Sequence, residues 1–391
     1  MRYIIINERY SKEKIFRLWS SFLLASYMCV LLLRYLTIIP VLFANILIVF
    51  IGSMAIMQSL IKKKYSINAK ILVFLILYTF FGIISYFYNG NADVQELVWP
   101  LGTIGIGFML LNNRLSYGFI RFIYYSYCFV FVMICLFSNL LTTYSLQSSR
   151  NNISVLLLLA FCLVFFAAYQ NKKTITLDIP IALLAVCLLS IGRSGIILGL
   201  IALFLCIVVK MENGKSSFIS IKWVFLSGIV LVLLYFLISN FMPRVLETAV
   251  ENFERKQLES SRLFIWRDYI IKTKSSLINF MLGSKVSGTE WLEKYNGNLH
   301  NSFFALHSKY GIIMLATVIF MVIRSLMKLF KERNYYLLIP LLLIVFRINF
   351  DYCSFNGCLD NVLFYILFFH FYNHDSLRDG FTELLLEQKH E

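Results

Sequence analysis

The chain has 391 residues, of which 59% are hydrophobic and only 15% are charged, and its mean hydropathy is +0.75. So little polar surface excludes a soluble globular protein of this length. The net charge of +15 comes from basic residues that are dispersed along the chain and form no continuous face, which argues against a nucleic-acid-binding protein.

The apolar residues fall into blocks close to the ~20 residues that cross a bilayer as a helix, whereas the strands of a membrane β-barrel would alternate with a period of two. The sequence therefore predicts an all-α fold, a polytopic membrane helical bundle of about twelve transmembrane helices. The predicted spans are 18–33, 36–60, 69–88, 98–111, 119–141, 153–169, 175–191, 194–210, 223–242, 304–323, 335–350 and 359–373. The fourth is short and rich in glycine, which predicts a tilted, kinked or re-entrant segment.

The longest polar segment lies between the ninth and tenth spans. It divides the chain into an N-terminal transmembrane region (1–242), one long extracytoplasmic loop (243–310), C-terminal spans (311–373) and a cytoplasmic tail (374–391). A chain that buries most of its residues in lipid and leaves one such segment in water is expected to carry out its chemistry there.

The distribution of Lys and Arg predicts the orientation of the chain. With alternating spans and a cytoplasmic N-terminus, 22 of the 36 basic residues fall in cytoplasmic segments and only four in the short outer loops. The other ten lie in the long loop, and long loops cross the membrane regardless of charge. Both termini are therefore expected in the cytoplasm. The lead at 1–17 lacks a cleavage site and is interpreted as a cytoplasmic tail, and the basic surplus is expected to contact anionic lipid headgroups.

Polar residues at the predicted outer boundary are the first candidates for a site. Arg193 lies between two apolar spans, where a guanidinium is costly unless it has a role or serves as an interfacial anchor. Arg347 and Asp351 are four residues apart and share a helix face if the helix continues. A structural salt bridge is the simpler interpretation of that pair.

The long loop adds further candidates. Arg262 and Trp266 are also four residues apart, and Leu263, Trp266 and Ile270 form an apolar stripe that predicts an amphipathic helix lying against the membrane. His300 is a candidate general base because imidazole changes its charge near neutral pH. A lone surface histidine, however, is more often simply solvated.

Cysteines and acidic residues indicate little special chemistry. Six cysteines lie inside predicted spans and are interpreted as small packing residues. Cys353 and Cys358 share the last outer loop, where a disulfide is permitted. The sequence has no Asp-x-Asp motif, its outer acids are scattered, and it has no nucleotide-binding glycine signature. We therefore expect metal-independent chemistry without a cofactor.

The order of the candidate residues carries a resemblance to a known family. The motifs, in chain order, are Arg193-Ser-Gly, Arg262 with Trp266, Leu282-Gly283, and His300-Asn301-Ser-Phe-Phe with Gly311. This arrangement resembles the O-antigen polymerase and ligase superfamily. The stretch from Arg347 to Asp360 resembles the ending of its Wzy-like capsular and exopolysaccharide polymerases. The chain departs from the family pattern at Gly192, Lys285 and Met314, and the last departure disfavours the ligase branch.

The resemblance implies a membrane glycosyltransferase that joins undecaprenyl-pyrophosphate-linked oligosaccharide repeat units into O-antigen, capsular or exopolysaccharide at the outer face of the cytoplasmic membrane. His300 would accept the proton of the attacking hydroxyl, while Arg193 and Arg262 hold the pyrophosphate. The residues expected to bind substrate are Arg267, Trp266, Asn301, Arg347 and Asp351. The implied partners are the lipid-linked oligosaccharide, membrane lipids, a flippase and chain-length regulator proteins, and no nucleic acid.

Three alternatives stay open. Carboxylates of the long loop could supply the base in place of His300; they are Glu254, Glu259, Asp268, Glu290 and Glu293. An O-antigen-ligase-type transferase would use the same donor chemistry with another acceptor. A polysaccharide flippase or transporter would share the twelve-span layout, but such carriers place ionisable residues at mid-membrane and often repeat their halves, and this sequence shows neither pattern.

Overall fold

The structure is a computed structural model that describes residues 2–61, 69–91, 94–136, 151–190, 192–213 and 261–370. Every regular element in these ranges is an α-helix. In chain order the helices are α1 (Arg2–Tyr35), α2 (Val41–Ile61), α3 (Ala69–Asn89), α4 (Val94–Asn112), α5 (Tyr117–Leu136), α6 (Asn151–Gln170), α7 (Asp178–Leu189), α8 (Arg193–Asn213), α9 (Ser261–Lys274), α10 (Leu277–Leu282), α11 (Glu290–Lys294), α12 (Ser302–Lys331), α13 (Tyr335–Ile348) and α14 (Asp360–Phe369).

Seven of these helices are long and apolar enough to cross a membrane, namely α1, α2, α3, α5, α6, α8 and α12. Four shorter apolar helices, α4, α7, α13 and α14, accompany them. The described part of the chain is therefore all-helical, with the lengths and composition of a membrane-embedded helical protein. Eleven of the twelve predicted spans coincide with a helix. The ninth span at 223–242, the first part of the predicted loop at 243–260 and the tail at 371–391 lie outside the described residues.

Three helices differ clearly in length from the predicted spans, and one of them, α12, continues to Lys331 where the predicted span ends at 323. Helix α1 begins at Arg2, so the predicted basic lead is helical and continuous with the first span. Helix α7 has only 12 residues. It begins at Asp178, has Pro180 in its first turn and ends at Leu189. Proline is tolerated in a first turn, where its missing N–H costs no hydrogen bond.

The glycines predicted to tilt, kink or break the fourth span serve close helix packing in α4. A Cβ atom on Gly52 of α2 would lie 2.3 Å from the Cα atom of Gly102, and one on Gly105 would lie 2.3 Å from the carbonyl oxygen of Gly52. On another side of α4, a Cβ atom on Gly107 would lie 3.0 Å from the carbonyl oxygen of Asn361. Small residues let helix backbones approach this closely inside a membrane, so α4 packs directly between α2 and α14.

Helices α6 and α14 form the centre of the described bundle. Helix α6 is apolar on all sides and buries 16 of its 20 residues, from Ile153 to Ala168 without a break. All ten residues of α14 are buried. A helix that is hydrophobic all round belongs inside a larger assembly, and here α5, α8 and α13 pack around α6.

Helix α12 is broken near its start. Gly311 adopts a left-handed backbone with φ +74° and divides the helix into a short first part, 302–310, and a long second part. A Cβ atom on Gly311 would lie 2.2 Å from the carbonyl oxygen of Met281, and one on Gly283 would lie 2.4 Å from that of His307. The two glycines thus let α10 dock into the kink. The last residues of the predicted loop are therefore helical.

The α2–α4 contact generates a stability prediction. We expect Gly52→Ala to lower the free energy of unfolding by about 1–3 kcal/mol, because its methyl group would overlap the backbone of Gly102. Gly118→Ala is the matched control, since a Cβ atom there meets only the Ser116 hydroxyl, at 4.0 Å. Thermal unfolding of the two purified variants measures the difference, and equal melting temperatures would contradict the close packing of α2 and α4.

Candidate functional site

Several helix termini meet at one end of the bundle. Helices α6, α8 and α12 begin there, α13 ends there, and the segment 349–359 connects α13 to α14. Hydrogen bonds from Arg347 to Ser194 and to the carbonyl oxygen of Asn151 join three of these termini. The residues predicted at the outer boundary therefore lie at a common end of the structure.

A buried ion pair forms the base of the site. Arg347 lies in the last turn of α13, is fully buried, and places Nη2 2.7 Å from Oδ2 of Asp351, four residues later. Its Nη1 donates to the hydroxyl of Ser194, and its Nη2 also donates to the carbonyl oxygen of Asn151 at 2.9 Å. The contact with Asp351 lacks the alignment of a hydrogen bond, so Arg347 acts on that carboxylate mainly through its charge.

Two further basic side chains, both partly exposed, face the other oxygen of the same carboxylate. Nη2 of Arg262 lies 3.6 Å from Oδ1 of Asp351, and Nδ1 of His300 lies 3.9 Å from it. Both distances exceed that of a hydrogen bond. The side chains of Arg262 and His300 are 23% and 27% exposed, whereas that of Arg347 is inaccessible. Arg262 and His300 therefore form the accessible face of the cluster.

Arg193 completes the group of cations. It is the first residue of α8 and is half-buried beside Ser194, the partner of Arg347. Burial lowers the pKa of the Arg262 guanidinium; the charge of Asp351 opposes this shift, and the charges of Arg347 and Arg193 add to it. Among the described residues of this group, the three guanidiniums outnumber the one carboxylate. Such a surplus at a partly buried site favours an anionic ligand.

The backbone around His300 places its ring beside Asp351. His300 itself has a left-handed φ of +48°, and its N–H donates to Oδ1 of Asn298 at 2.9 Å. The next residue, Asn301, caps α12 by accepting from the N–H groups of Phe303 and Phe304. Strained backbone of this kind persists where the surrounding structure holds it, and it is common at functional sites.

Asn301 and Trp266, both predicted to bind substrate, contact the protein itself. Besides capping α12, Asn301 donates from Nδ2 to the carbonyl oxygen of Asn349 at 3.0 Å. The indole N–H of Trp266 donates to the carbonyl oxygen of Leu299 at 2.8 Å, and its ring packs edge-on against Phe304. Their polar groups are thus occupied in holding His300 in place.

Arg267 does not join the cluster. It is exposed and lies about 140° around helix α9 from Arg262, as five residues at 3.6 per turn require. The predicted apolar stripe of α9 also lies away from the core, because Leu263 and Ile270 are exposed while Ile265 and Tyr269 are buried. Helix α9 packs on the protein through the latter pair.

A histidine inside the kinked part of α12 connects three helices. His307 Nε2 lies 2.9 Å from the carbonyl oxygen of Phe280, which can only accept, so this nitrogen carries a proton. Nδ1 therefore accepts from the hydroxyl of Tyr269, at 2.6 Å. The neutral ring links α9 and α10 to α12 and so helps to hold α9, the helix that carries Arg262.

The sequence reasoning missed three further contacts at or beside the cluster. The buried Lys309 donates from Nζ to the hydroxyl of Tyr352 at 2.7 Å and lies 4.7 Å above the centre of its ring. Ser194, which binds Arg347, belongs to the Arg-Ser-Gly motif and was therefore within reach of sequence analysis. Asn151 contributes only its carbonyl oxygen to Arg347, a contact that no side-chain pattern reveals.

Two of the alternative carboxylates have local partners, and Glu290 is exposed at the start of α11. Asp268 accepts from the N–H of Trp291 at 3.4 Å, and Glu293 accepts from that of Gly288 at 3.1 Å. Glu254 and Glu259 lie outside the described residues. Within the described ranges, no three His, Cys, Asp or Glu side chains are grouped so that they could hold a metal ion. Cys353 and Cys358 are both buried, unpaired thiols.

Comparison with models of protein families, with curated proteins and with solved structures finds no match to this chain. The resemblance to the O-antigen polymerase and ligase superfamily therefore stands on the residues of the sequence alone.

The ion pair at the base of the site generates a second stability prediction. We expect Asp351→Asn to lower the free energy of unfolding by about 3–5 kcal/mol, because it leaves the charge of Arg347 buried without a counter-charge. Replacing both members together, as Arg347→Met with Asp351→Leu, should recover most of that loss. Asp268→Asn serves as the control. Chemical unfolding of the purified proteins measures the cycle, and a double variant no more stable than Asp351→Asn would contradict the assignment.

Proposed function

We propose that the protein is a membrane glycosyltransferase that polymerises undecaprenyl-pyrophosphate-linked oligosaccharide repeat units into O-antigen, capsular or exopolysaccharide. The observation that carries the proposal is the meeting of Arg262, Arg347 and His300 around Asp351, with Arg193 close enough for its charge to act on Arg262, at one end of an apolar helical bundle. A lipid-borne diphosphate needs both features at once, cations for its charge and an apolar surface for its chain.

We propose that this end faces the outside of the cytoplasmic membrane, with about twelve spans, both termini in the cytoplasm and residues 243–310 outside. The excess of basic residues in the alternate loops supports this orientation. Contacts at the opposite end support it too, because they join loops assigned to the cytoplasm. There Arg114 donates to the carbonyl oxygen of Gln170 at 2.7 Å, and Arg121 pairs with Asp178 at 2.8 Å.

The proposed reaction transfers a glycan from one lipid to another. A hydroxyl oxygen of the acceptor sugar bonds to the anomeric carbon of the donor, and the bond from that carbon to the diphosphate oxygen breaks. The lipid diphosphate leaves with the bonding electrons, and guanidiniums neutralise its growing charge through paired hydrogen bonds. His300 takes the proton of the attacking hydroxyl.

The exposure of each side chain assigns its part in this reaction. Arg262 and His300 are accessible, and Arg193 is half-buried beside them, so these three are the residues proposed to touch substrate. Arg347 is buried and held by α6, α8 and Asp351, so we assign it and Asp351 to positioning. Asn301 and Trp266 position His300 in the same way.

Polymerisation by purified protein tests the proposal. Incubated with lipid-linked oligosaccharide, the wild-type protein should produce a regular ladder of glycans. We expect His300→Ala, Arg193→Ala and Arg262→Ala each to abolish the ladder, because each removes either the proton acceptor or a group that stabilises the leaving diphosphate. Lys274→Ala removes an exposed charge from the same helix as Arg262 and should leave the ladder unchanged.

The products also separate the competing functions. A single adduct with another acceptor would favour a ligase, and intact substrate that has moved across a membrane would favour a transporter.

Arg262→Lys keeps the charge but loses the planar fork of donors, so its ladder should be much weaker than that of the wild type. Full laddering in both His300→Ala and Arg193→Ala would remove these residues from the mechanism.

A further inference from the structure

A second group of cationic and aromatic side chains lies at the same end of the bundle, on helices that the first site does not use. Arg34 is in the last turn of α1, and its guanidinium carbon lies 4.9 Å from the ring centre of Trp99 in α4 and 5.3 Å from that of Tyr35. Trp99 is only 3% exposed. The arginine is thus stacked between two aromatic rings at the membrane boundary.

The polar groups of this cluster have unmet hydrogen-bonding capacity. Nε of Arg34 and the indole nitrogen of Trp99 are buried, and neither finds an acceptor among the described residues. The hydroxyl of Tyr27, two turns earlier on α1, is buried and unpartnered in the same ranges. Arginine and tryptophan nitrogens only donate, so both require an acceptor. Buried donors left without one are costly and call for a specific explanation, such as a bound ligand.

The surroundings of this cluster open towards lipid. Ile38, Val41 and Leu42, at the turn from α1 into α2, are 53%, 52% and 55% exposed, and the N–H of Ile38 donates to the carbonyl oxygen of Leu33, the residue before Arg34, at 3.0 Å. In a membrane bundle such exposed apolar side chains face acyl chains. A ligand that supplies acceptors to Arg34 and Trp99 would therefore reach them with its apolar part along these residues.

The segment between α13 and α14 lies between the two clusters. Asp351, at one end of this segment, faces Arg262 and His300. Cys358, at its other end, lies beside α1: burial raises the pKa of its thiol to about 11, against the opposing effects of a hydrogen bond with Tyr35 and the charge of Arg34. One short segment thus contacts both groups of cations from different sides.

We propose that Arg34 and Trp99 form a second anion site, which binds the phosphate group of a membrane lipid. A cationic donor beside an indole donor, next to exposed apolar side chains, matches a charged phosphate attached to an acyl or prenyl chain. The role that we assign to this second site rests on the proposed function. Joining two lipid-linked repeat units requires two lipid diphosphates at once, so the cluster around Asp351 would hold that of the donor and Arg34 with Trp99 that of the acceptor.

Equilibrium binding to the full-length protein tests this site without any turnover. The protein is placed in nanodiscs of uncharged phosphatidylcholine and titrated with undecaprenyl diphosphate, with phosphatidylglycerol and with inorganic diphosphate. We expect two lipid diphosphates per wild-type protein and only one tight site in Arg34→Gln, whose second site should weaken by about 10- to 100-fold. Trp99→Phe keeps the apolar ring but removes the N–H, and should weaken the second site roughly fivefold.

Controls and outcomes separate this site from the first. Arg324→Gln, at the far end of α12, and Trp291→Phe, in α11, should bind both lipids as the wild type does.

Unchanged binding in both Arg34→Gln and Trp99→Phe would overturn the site. Inorganic diphosphate binding as well as either lipid would overturn the assignment to lipid. Phosphatidylglycerol binding as well as the diphosphate would support the site and contradict its role for the acceptor. Because no measurement needs catalysis, the result is readable even if the polymerase proposal fails.

Discussion

The ion pair between Arg347 and Asp351 is the interaction on which the rest of the site depends. A fully buried guanidinium is tolerated only when its charge is compensated, and here the carboxylate of Asp351 supplies the counter-charge while one hydroxyl and one carbonyl oxygen accept hydrogen bonds. Because those partners come from the start of α6, the start of α8 and the segment after α13, one side chain holds three helix ends together. The remaining oxygen of Asp351 then orders Arg262 and His300 at the surface.

Helices α9 and α10, which bring Arg262 to this carboxylate, are held by close backbone contacts. The kink at Gly311 frees the carbonyl oxygen of Ser308, which accepts from the side chains of Asn89 and Asn91, both at 3.0 Å. Helix α10 fills the kink, and His307 connects it to α9 through hydrogen bonds at both ring nitrogens. Residues 261–310 therefore lie on the bundle as a packed layer, and their accessible cations belong to a defined surface.

The sequence predicted the apolar helices and the residues of the cluster. It did not distinguish the side chains on the accessible face from those that hold other residues in place. Arg193, Arg262, His300, Arg347 and Asp351 were all selected from their types and positions, and the structure brings them together. Trp266 and Asn301 were selected on the same grounds, yet their polar groups bind the backbone at Leu299 and Asn349. Arg267 has the same chemistry as Arg262, but five residues of helix turn it elsewhere. A linear pattern contains no information about which donors are already satisfied.

By itself, the sequence determined which segments are too apolar to remain in water. Apolar blocks near bilayer length cannot remain in water, and the bias of Lys and Arg between alternate loops predicts which ends lie together. Only the tertiary structure decided which of the charges at that end are buried and which are accessible, because burial depends on helices far apart in the chain. It also revealed the stacking of Arg34 on Trp99, 65 residues away, where two donors find no acceptor in the part of the chain that the structure describes. The physical reason is that hydrophobicity is a property of each segment, whereas the satisfaction of a buried polar group depends on its neighbours in space.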